Sequence, residues 1–177
     1  MSNAPDLALA RALLFTPGTR PDRFAKTAAT RADGLIIDLE DAVGPNDKDS
    51  ARAGVMNWLR KREGITRKDF LVCVRINPVV TPAGLRDLIA LVELIGQGVA
   101  PDAVMLPKVE SLSDLDMAVQ AIDQAGGKAL PVHALIESPL AVHRAFDIAA
   151  HPRVQSLSFG LMDFVSAHGG AIPSEGM

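Results

Sequence analysis

Residues Leu130 to Asp163 read LPVHALIESPLAVHRAFDIAAHPRVQSLSFGLMD. An apolar run climbs to a carboxylate at Glu137, and Ser138-Pro139 then opens a helix with a capping hydroxyl and a proline in the first turn. A second apolar run, Val154 to Phe159, ends in Gly160 and a second carboxylate, Asp163. The stretch is a strand–helix–strand unit with one acid just past the carboxyl end of each strand. In parallel α/β sheets that end of the strands is where ligands bind and chemistry sits. Two hard oxygen donors on adjacent strand ends suit Mg²⁺, which takes one or two carboxylates and leaves its other positions to water and substrate. Acids are also frequent in first helical turns, where the helix dipole favours them. The pair therefore gains weight only if the pattern recurs.

It does recur. Ala12–Phe15 is a short apolar run closed by Pro17-Gly18, and a polar helix over Pro21–Arg31 follows. Leu35–Leu39 is a second strand, ending in the acids Asp38, Glu40 and Asp41. A helix from about Asp47 to Glu63 places Ala51, Val55, Trp58, Leu59 and Arg62 on one face. Phe70–Ile76 is a third strand, ending in Arg75 and Asn77. Thr81-Pro82 caps a helix whose inward stripe reads Leu85, Leu88, Ile89, Val92 and Ile95. Ala103–Leu106 is a fourth strand, ending in Lys108 and Glu110. Ser111 opens a helix with Leu112, Leu115, Val119 and Ile122 inward, stopped by Gly126-Gly127.

Six such units imply right-handed crossovers and a parallel sheet. Charged residues end the second to sixth strands, which favours a barrel, where those ends converge on one mouth. Pro17-Gly18-Thr19-Arg20 lacks the G-x-G-x-x-G spacing of a dinucleotide-binding turn. The expected fold is α/β, of the (β/α)₈ barrel type, forming a single domain over residues 1–177. It is expected to be incomplete, because an eight-fold barrel takes roughly 250 residues and at least about 200. The stretch from Ala167 to Met177 reads as glycine-rich turn. Two strands are expected to be missing, or another chain to cover the gap.

Composition narrows the partners. Apolar residues make up 48% and charged residues 22% of the 177, the balance of a globular chain. A net charge of −3 gives no electrostatic reason to expect nucleic acid or an anionic membrane. No apolar run spans a bilayer, and the N-terminus lacks a secretory apolar core. The lone cysteine, Cys73, allows no intrachain disulfide and fits a reducing cytoplasm.

In order along the chain stand Leu14–Arg20 (LFTPGTR) with Phe24 and Lys26, Gly34–Val43 (GLIIDLEDAV) with Lys48, and Val72–Asn77 (VCVRIN). Leu106–Glu110 (LPKVE), Leu135–Pro139 (LIESP) and Ser158–Phe164 (SFGLMDF) follow. This ordered set resembles the citrate lyase β-subunit-like branch of the HpcH/HpaI aldolase family. The resemblance implies a (β/α)₈ barrel, a divalent metal (Mg²⁺, or Mn²⁺) and a homotrimer or hexamer. It implies making or breaking a carbon–carbon bond between an α-keto or 2-hydroxy acid and an acyl-CoA or pyruvate-type enolate. In that family a C-terminal segment completes the barrel and carries an acid to a neighbouring subunit's site; these 177 residues hold no counterpart.

By resemblance, Glu137 and Asp163 are the metal ligands and Arg75 the substrate arginine. A guanidinium there can grip a carboxylate or stabilise a developing oxyanion. Alternation puts Arg75, Cys73 and Leu71 on one strand face, so an Arg75 pointing inward must be paired, with Asp38 or Glu40 as the available acids. Asp38 and Glu40 are catalytic candidates, read as orienting Arg75 and metal-bound water. Phe15, Arg20 and Lys26 match positions that contact CoA; as ordinary residues, Arg20 and Lys26 are solvated cations of the first helix. Lys108 and Glu110 read as a salt bridge shaping the mouth, His133 as a hydrogen-bonded core residue, Cys73 as a small buried hydrophobe, and His168 is unassigned.

The leading expectation is a Mg²⁺-dependent lyase cleaving a small 3-hydroxy-acyl-CoA of the malyl, citramalyl or citryl type. An aldolase releasing pyruvate from a 2-keto-4-hydroxy acid, with no CoA to bind, is the second. A non-catalytic ligand-binding or scaffolding subunit is the third.

Overall fold

Every apolar run quoted above is a strand in the computed structural model, which describes residues 6–169. Strands β1 (Leu13–Pro17), β2 (Gly34–Asp38), β3 (Leu71–Arg75), β4 (Ala103–Leu106), β5 (Val132–Ile136) and β6 (Val154–Phe159) lie side by side in chain order. Each neighbouring pair is parallel. The crossovers carry α1 (Phe24–Ala28), α2 (Lys48–Lys61), α3 (Pro82–Gly96), α4 (Leu112–Gln124), α5 (Pro139–His143) and α6 (Ala145–Ala150), and α7 (Leu161–His168) follows β6.

Strand alternation divides the apolar side chains. Leu35, Ile37, Val72, Val74, Val104 and Val132 pack with Val55, Leu59, Leu91 and Leu115 of the helices in the main core. Ile36, Leu71, Cys73, Ala103, Met105 and Leu135 face the other way and form a second cluster, closed below by Leu7 from a short 3-10 helix, Leu7–Leu9. On that side lies a cavity of about 600 Å³ bordered by residues of all six strands, among them Phe15, Ile36, Arg75, Met105, His133 and Ser158. A flat sheet would hold its first and sixth strands roughly 24 Å apart at normal strand spacing. A single cavity touching both requires a sheet curled like a barrel wall. The curl stops short of closure, since β1 and β6 are the two ends of the sheet. Closing a barrel requires its last strand to pair with its first. The unpaired ends leave Phe15 50% and Phe159 53% exposed.

The helix starts follow their caps. Thr81 accepts the Gly84 N–H ahead of α3, Ser111 and Asp114 form a reciprocal capping box on α4, and Ser138 accepts the Ala141 N–H at α5. At Gly84 a Cβ would collide with the Pro78 backbone carbonyl, so the close approach there requires glycine.

β6 departs from simple alternation. Its register with β5 slips between Val132 and His133: Val132 faces Val154, but His133 faces Ser156. Gln155 is the extra residue of a bulge. Because of it Val154 and Leu157, three apart, both pack on the helix-side core. Ser156 and Ser158 turn to the cavity.

Several local expectations are corrected. The helix expected over Pro21–Arg31 is a 3-10 turn, Pro21–Arg23, followed by only five α-helical residues. The inward stripe of α3 is Leu88, Leu91, Leu94 and Ile95, while Leu85 and Ile89 stand 44% and 58% exposed. That helix is apolar on more than one side, so the pattern admits two overlapping stripes; the buried Asp87 beside Gly84 selects the one that faces the sheet. Leu112, in the first turn of α4, is exposed rather than inward. Arg62 leaves the inner face of α2: it is left-handed at the helix end (φ 46°) and pairs with Asp102. Ala167 and His168 are the end of α7 rather than turn, with His168 stacked on Phe164; the rest of that expected turn, past Gly169, lies outside the described residues.

Candidate active site

β2 and β3 are in register with Asp38 opposite Arg75. Both side chains leave the ends of their strands on the cavity side, and they meet as a fork. Arg75 donates from Nε to Asp38 Oδ1 at 2.8 Å and from Nη2 to Oδ2 at 2.6 Å. Asp38 also accepts the Glu40 N–H at 2.8 Å and the Ala42 N–H at 3.0 Å, so one buried carboxylate fixes both the arginine and the turn after β2. The free side of the guanidinium, Nη1, lies 3.0 Å from Glu40 Oε2 without the alignment of a hydrogen bond. The Phe15 ring covers its plane, 4.8 Å from Cζ. Burial opposes the Arg75 charge, but Asp38, Glu40 and Asp41 outweigh it and hold its pKa above the ordinary value.

The second half of the site joins β4, β5 and β6. Glu137 follows β5 and is buried; Asp163 sits in the first turn of α7. Burial, then the neighbouring Asp163 carboxyl, pushes the Glu137 pKa up to about 7, against the pull of the Lys108 N–H. The approach depends on Gly160, where a Cβ would come within 2.6 Å of Glu137 Cγ and 2.9 Å of its Oε2. Lys108 ties the two halves together. Its N–H donates to Glu137 Oε1 at 3.1 Å and its Nζ to Glu40 Oε1 at 2.7 Å, with Asp163 Oδ1 at 3.4 Å. Burial raises the Glu40 pKa, and Lys108 and Arg75 draw it part of the way back.

The turn carrying Glu40 is held from behind. Lys48 Nζ donates to the carbonyls of Leu39 and Glu40 at 2.8 and 2.6 Å, and Asn77 Nδ2 donates to Leu39 O at 2.8 Å. Asn77 is anchored on Asp87, which Arg52 also grips. Below the carboxylate pair, His133 bonds Ser156 Oγ through Nδ1 at 2.7 Å and Ser158 Oγ through Nε2 at 2.8 Å. Burial holds the imidazole pKa down to about 4. It is a hydrogen-bonded interior histidine, as its position in the strand implied.

A protein-family model described as HpcH/HpaI aldolase/citrate lyase matches residues 11–176. The chain belongs to this family. The L-malyl-CoA/β-methylmalyl-CoA lyase of Cereibacter sphaeroides is 38% identical over 172 residues, covering 94% of this chain and 52% of the relative. The citrate lyase β subunit of Haemophilus influenzae is 35% identical over 166 residues, covering 90% and 54%. A Mycobacterium tuberculosis citrate lyase β subunit solved with oxaloacetate and magnesium superposes with a TM-score of 0.74 at 34% identity, covering 96% of this chain and 68% of that one. Another structure from that organism, CitE with magnesium, acetoacetate and coenzyme A, gives a TM-score of 0.75 at 33% identity, covering 97% and 57%. The chain spans about half the length of the curated relatives it matches.

Within the family's blocks, Arg75, Glu137 and Asp163 border the same cavity, with Asp38 and Glu40 beside Arg75. Phe15 borders it too, stacked on Arg75. Arg20 and Lys26 are not brought there: the Arg20 guanidinium forks onto Asp22, and Lys26 is exposed on α1. Lys108 pairs with Glu40, Asp41 and Asp163 rather than with Glu110, whose N–H donates to Asp114. The carboxylates Asp38, Glu40, Asp41 and Asp163 are met by the cations Arg75 and Lys108, whereas the buried Glu137 pairs with neither and accepts the Lys108 N–H. A buried carboxylate without a cation, with a second acid beside it on the same cavity, fits a divalent cation bound through oxygen.

Proposed function

We propose that this chain carries the metal and α-keto-acid site of a Mg²⁺-dependent carbon–carbon lyase for small 3-hydroxy-acyl-CoA thioesters of the malyl, citramalyl or citryl type. The observation behind it is that Glu137 and Asp163 follow the ends of adjacent strands and border one cavity with Arg75, with Lys108 reaching both acids. Glu137 and Asp163 would hold the metal, which supplies Lewis-acid polarisation of the keto-acid oxygens. In cleavage the hydroxyl proton leaves and the carbon–carbon bond breaks. Its electrons pass to the thioester half as an enolate, which takes up a proton at carbon. The Asp38 fork occupies the Nε and Nη2 donors of Arg75, so its Nη1 side meets substrate oxygen; Asp38 and Glu40 keep that side aimed. Phe15 keeps water from the guanidinium face. A homotrimer or hexamer and a cytoplasmic setting belong to the same proposal. Among the described residues no helix is long and apolar enough to cross a membrane.

The placement of Arg20 and Lys26 outside the cavity lining favours a second reading, an aldolase releasing pyruvate without CoA. The third reading is a non-catalytic ligand-binding or scaffolding subunit with the same fold. Turnover of malyl-CoA and citramalyl-CoA, with Mg²⁺ and then with EDTA, decides. Metal-dependent release of acyl-CoA, abolished in Glu137→Gln, is the expected result. Pyruvate release from a 2-keto-4-hydroxy acid alone selects the aldolase, and no turnover of either class selects the scaffold.

A further inference from the structure

Lys108 is one of two non-glycine residues with positive φ among those described, at 52°. The left-handed region is costly for a residue with a Cβ and persists where the surroundings over-determine it; such residues gather at functional sites. At Lys108 the conformation lets one residue act with both its ends. The backbone N–H reaches Glu137 at 3.1 Å, while the side chain turns back over the strand ends to Glu40 at 2.7 Å and Asp163 at 3.4 Å. One residue thus touches both carboxylates of the pair. The other cation of the site, Arg75, pairs with Asp38, Glu40 and Asp41 and forms no ion pair with either of these two.

The geometry points to Lys108 as a tethered counter-cation of the Glu137–Asp163 pair, a residue that offsets their charge in the metal-free site and so lowers its affinity for the metal. This rests on the metal reading proposed above. Two carboxylates forced together repel one another, and the Nζ offsets that repulsion from 3.4 Å. A divalent ion held by Glu137 and Asp163 would meet the ammonium as a like charge, and Glu40 is the partner that would keep it. A merely structural lysine predicts the opposite sign: without it the carboxylates drift and the metal binds less well.

The test is Mn²⁺ and Mg²⁺ affinity of the full chain by calorimetry, with melting in EDTA alongside. Lys108→Met removes the charge and keeps the stem. Lys108→Gly removes the side chain, keeps the N–H to Glu137 and relieves the backbone strain. Both variants are expected to bind Mn²⁺ about tenfold tighter or more, Lys108→Arg to bind like the unsubstituted chain, and Lys108→Gly to melt no lower than Lys108→Met. If the unsubstituted chain binds the metal and the Met and Gly variants bind it equally or less tightly, the proposal is overturned and the metal reading stands. Absence of saturable binding to the unsubstituted chain, or binding indifferent to Glu137→Gln, overturns both.

Discussion

Asp38→Ala is the sharpest probe of the architecture beneath the site. The Asp38 carboxylate is 1% exposed and accepts from Arg75 Nε and Nη2 and from the N–H groups of Glu40 and Ala42. Removing one partner of a buried ion pair costs about 3–5 kcal/mol, because the other charge stays buried without compensation. Here Glu40 remains 3.0 Å from the guanidinium, and the Ala42 N–H lies in a part-buried turn. The expected loss is therefore at the lower end, about 3 kcal/mol. With a urea slope near 2 kcal/mol/M for a chain of this size, the unfolding midpoint should fall by about 1.5 M. Adding Arg75→Met removes the orphaned charge, so the double variant should be less destabilised than the sum of the singles by about 2 kcal/mol. Urea unfolding followed by circular dichroism measures all four proteins. A single-variant loss under about 1 kcal/mol, or strict additivity, would refute the claim that Asp38 and Arg75 act as one buried unit.

Gly160→Ala drives a Cβ to 2.6 Å from Glu137 Cγ, so Mn²⁺ affinity measured by calorimetry should drop about tenfold or more, with a modest fall in melting temperature. Arg75→Lys keeps the charge but loses the fork; kcat/KM on the active thioester should fall well over tenfold, and an unchanged value removes Arg75 from the mechanism. With the Glu137 pKa raised to about 7, Mn²⁺ affinity should climb with pH and level off above about 7, and a pH-independent affinity between 5 and 8 counts against Glu137 as ligand. His133, held down to about 4 and neutral when folded, leaves the unfolded chain binding the extra proton between about 4 and 6.5. Stability from this group should therefore be complete above about 6.5 and fall as pH drops toward 4; His133→Gln should flatten that part of the urea-midpoint profile.

Much of this arrangement was legible because strand alternation is a strict period. Once Leu71, Cys73 and Arg75 share a face, an inward Arg75 needs an acid, and the paired register of β2 and β3 supplies Asp38. The strand-end acids were legible for the same reason: a parallel sheet carries the end of every strand to one rim. Lys108 was not. Its role depends on a left-handed backbone at a position where nothing in LPKVE requires one, and its partners lie 68 residues back and 29 residues on. The α3 stripe departs from its expectation because apolar residues on several sides of that helix offer overlapping stripes, and the deciding contact, Asp87 with Asn77 and Arg52, is polar.

The bulge at Gln155 is the case where local pattern and function meet most closely. VQSLSF alternates well enough to suggest an ordinary strand, and in an ordinary strand Val154 and Leu157 would face opposite sides. Both reach the helix-side core only because one residue is looped out. The slip is tolerated because the cavity side compensates: His133 spans the two serines that the bulge brings inward, filling both of its ring positions. A strand shifted by one residue exchanges its faces, and beyond Phe159 that exchange would carry Gly160 away from Glu137 and aim α7, with Asp163, elsewhere. The spacing of the carboxylate pair is therefore set two layers below it, by a histidine that touches neither acid. A loss of metal affinity in Ser156→Ala/Ser158→Ala, at unchanged Glu137, Asp163 and Lys108, is what this reasoning requires.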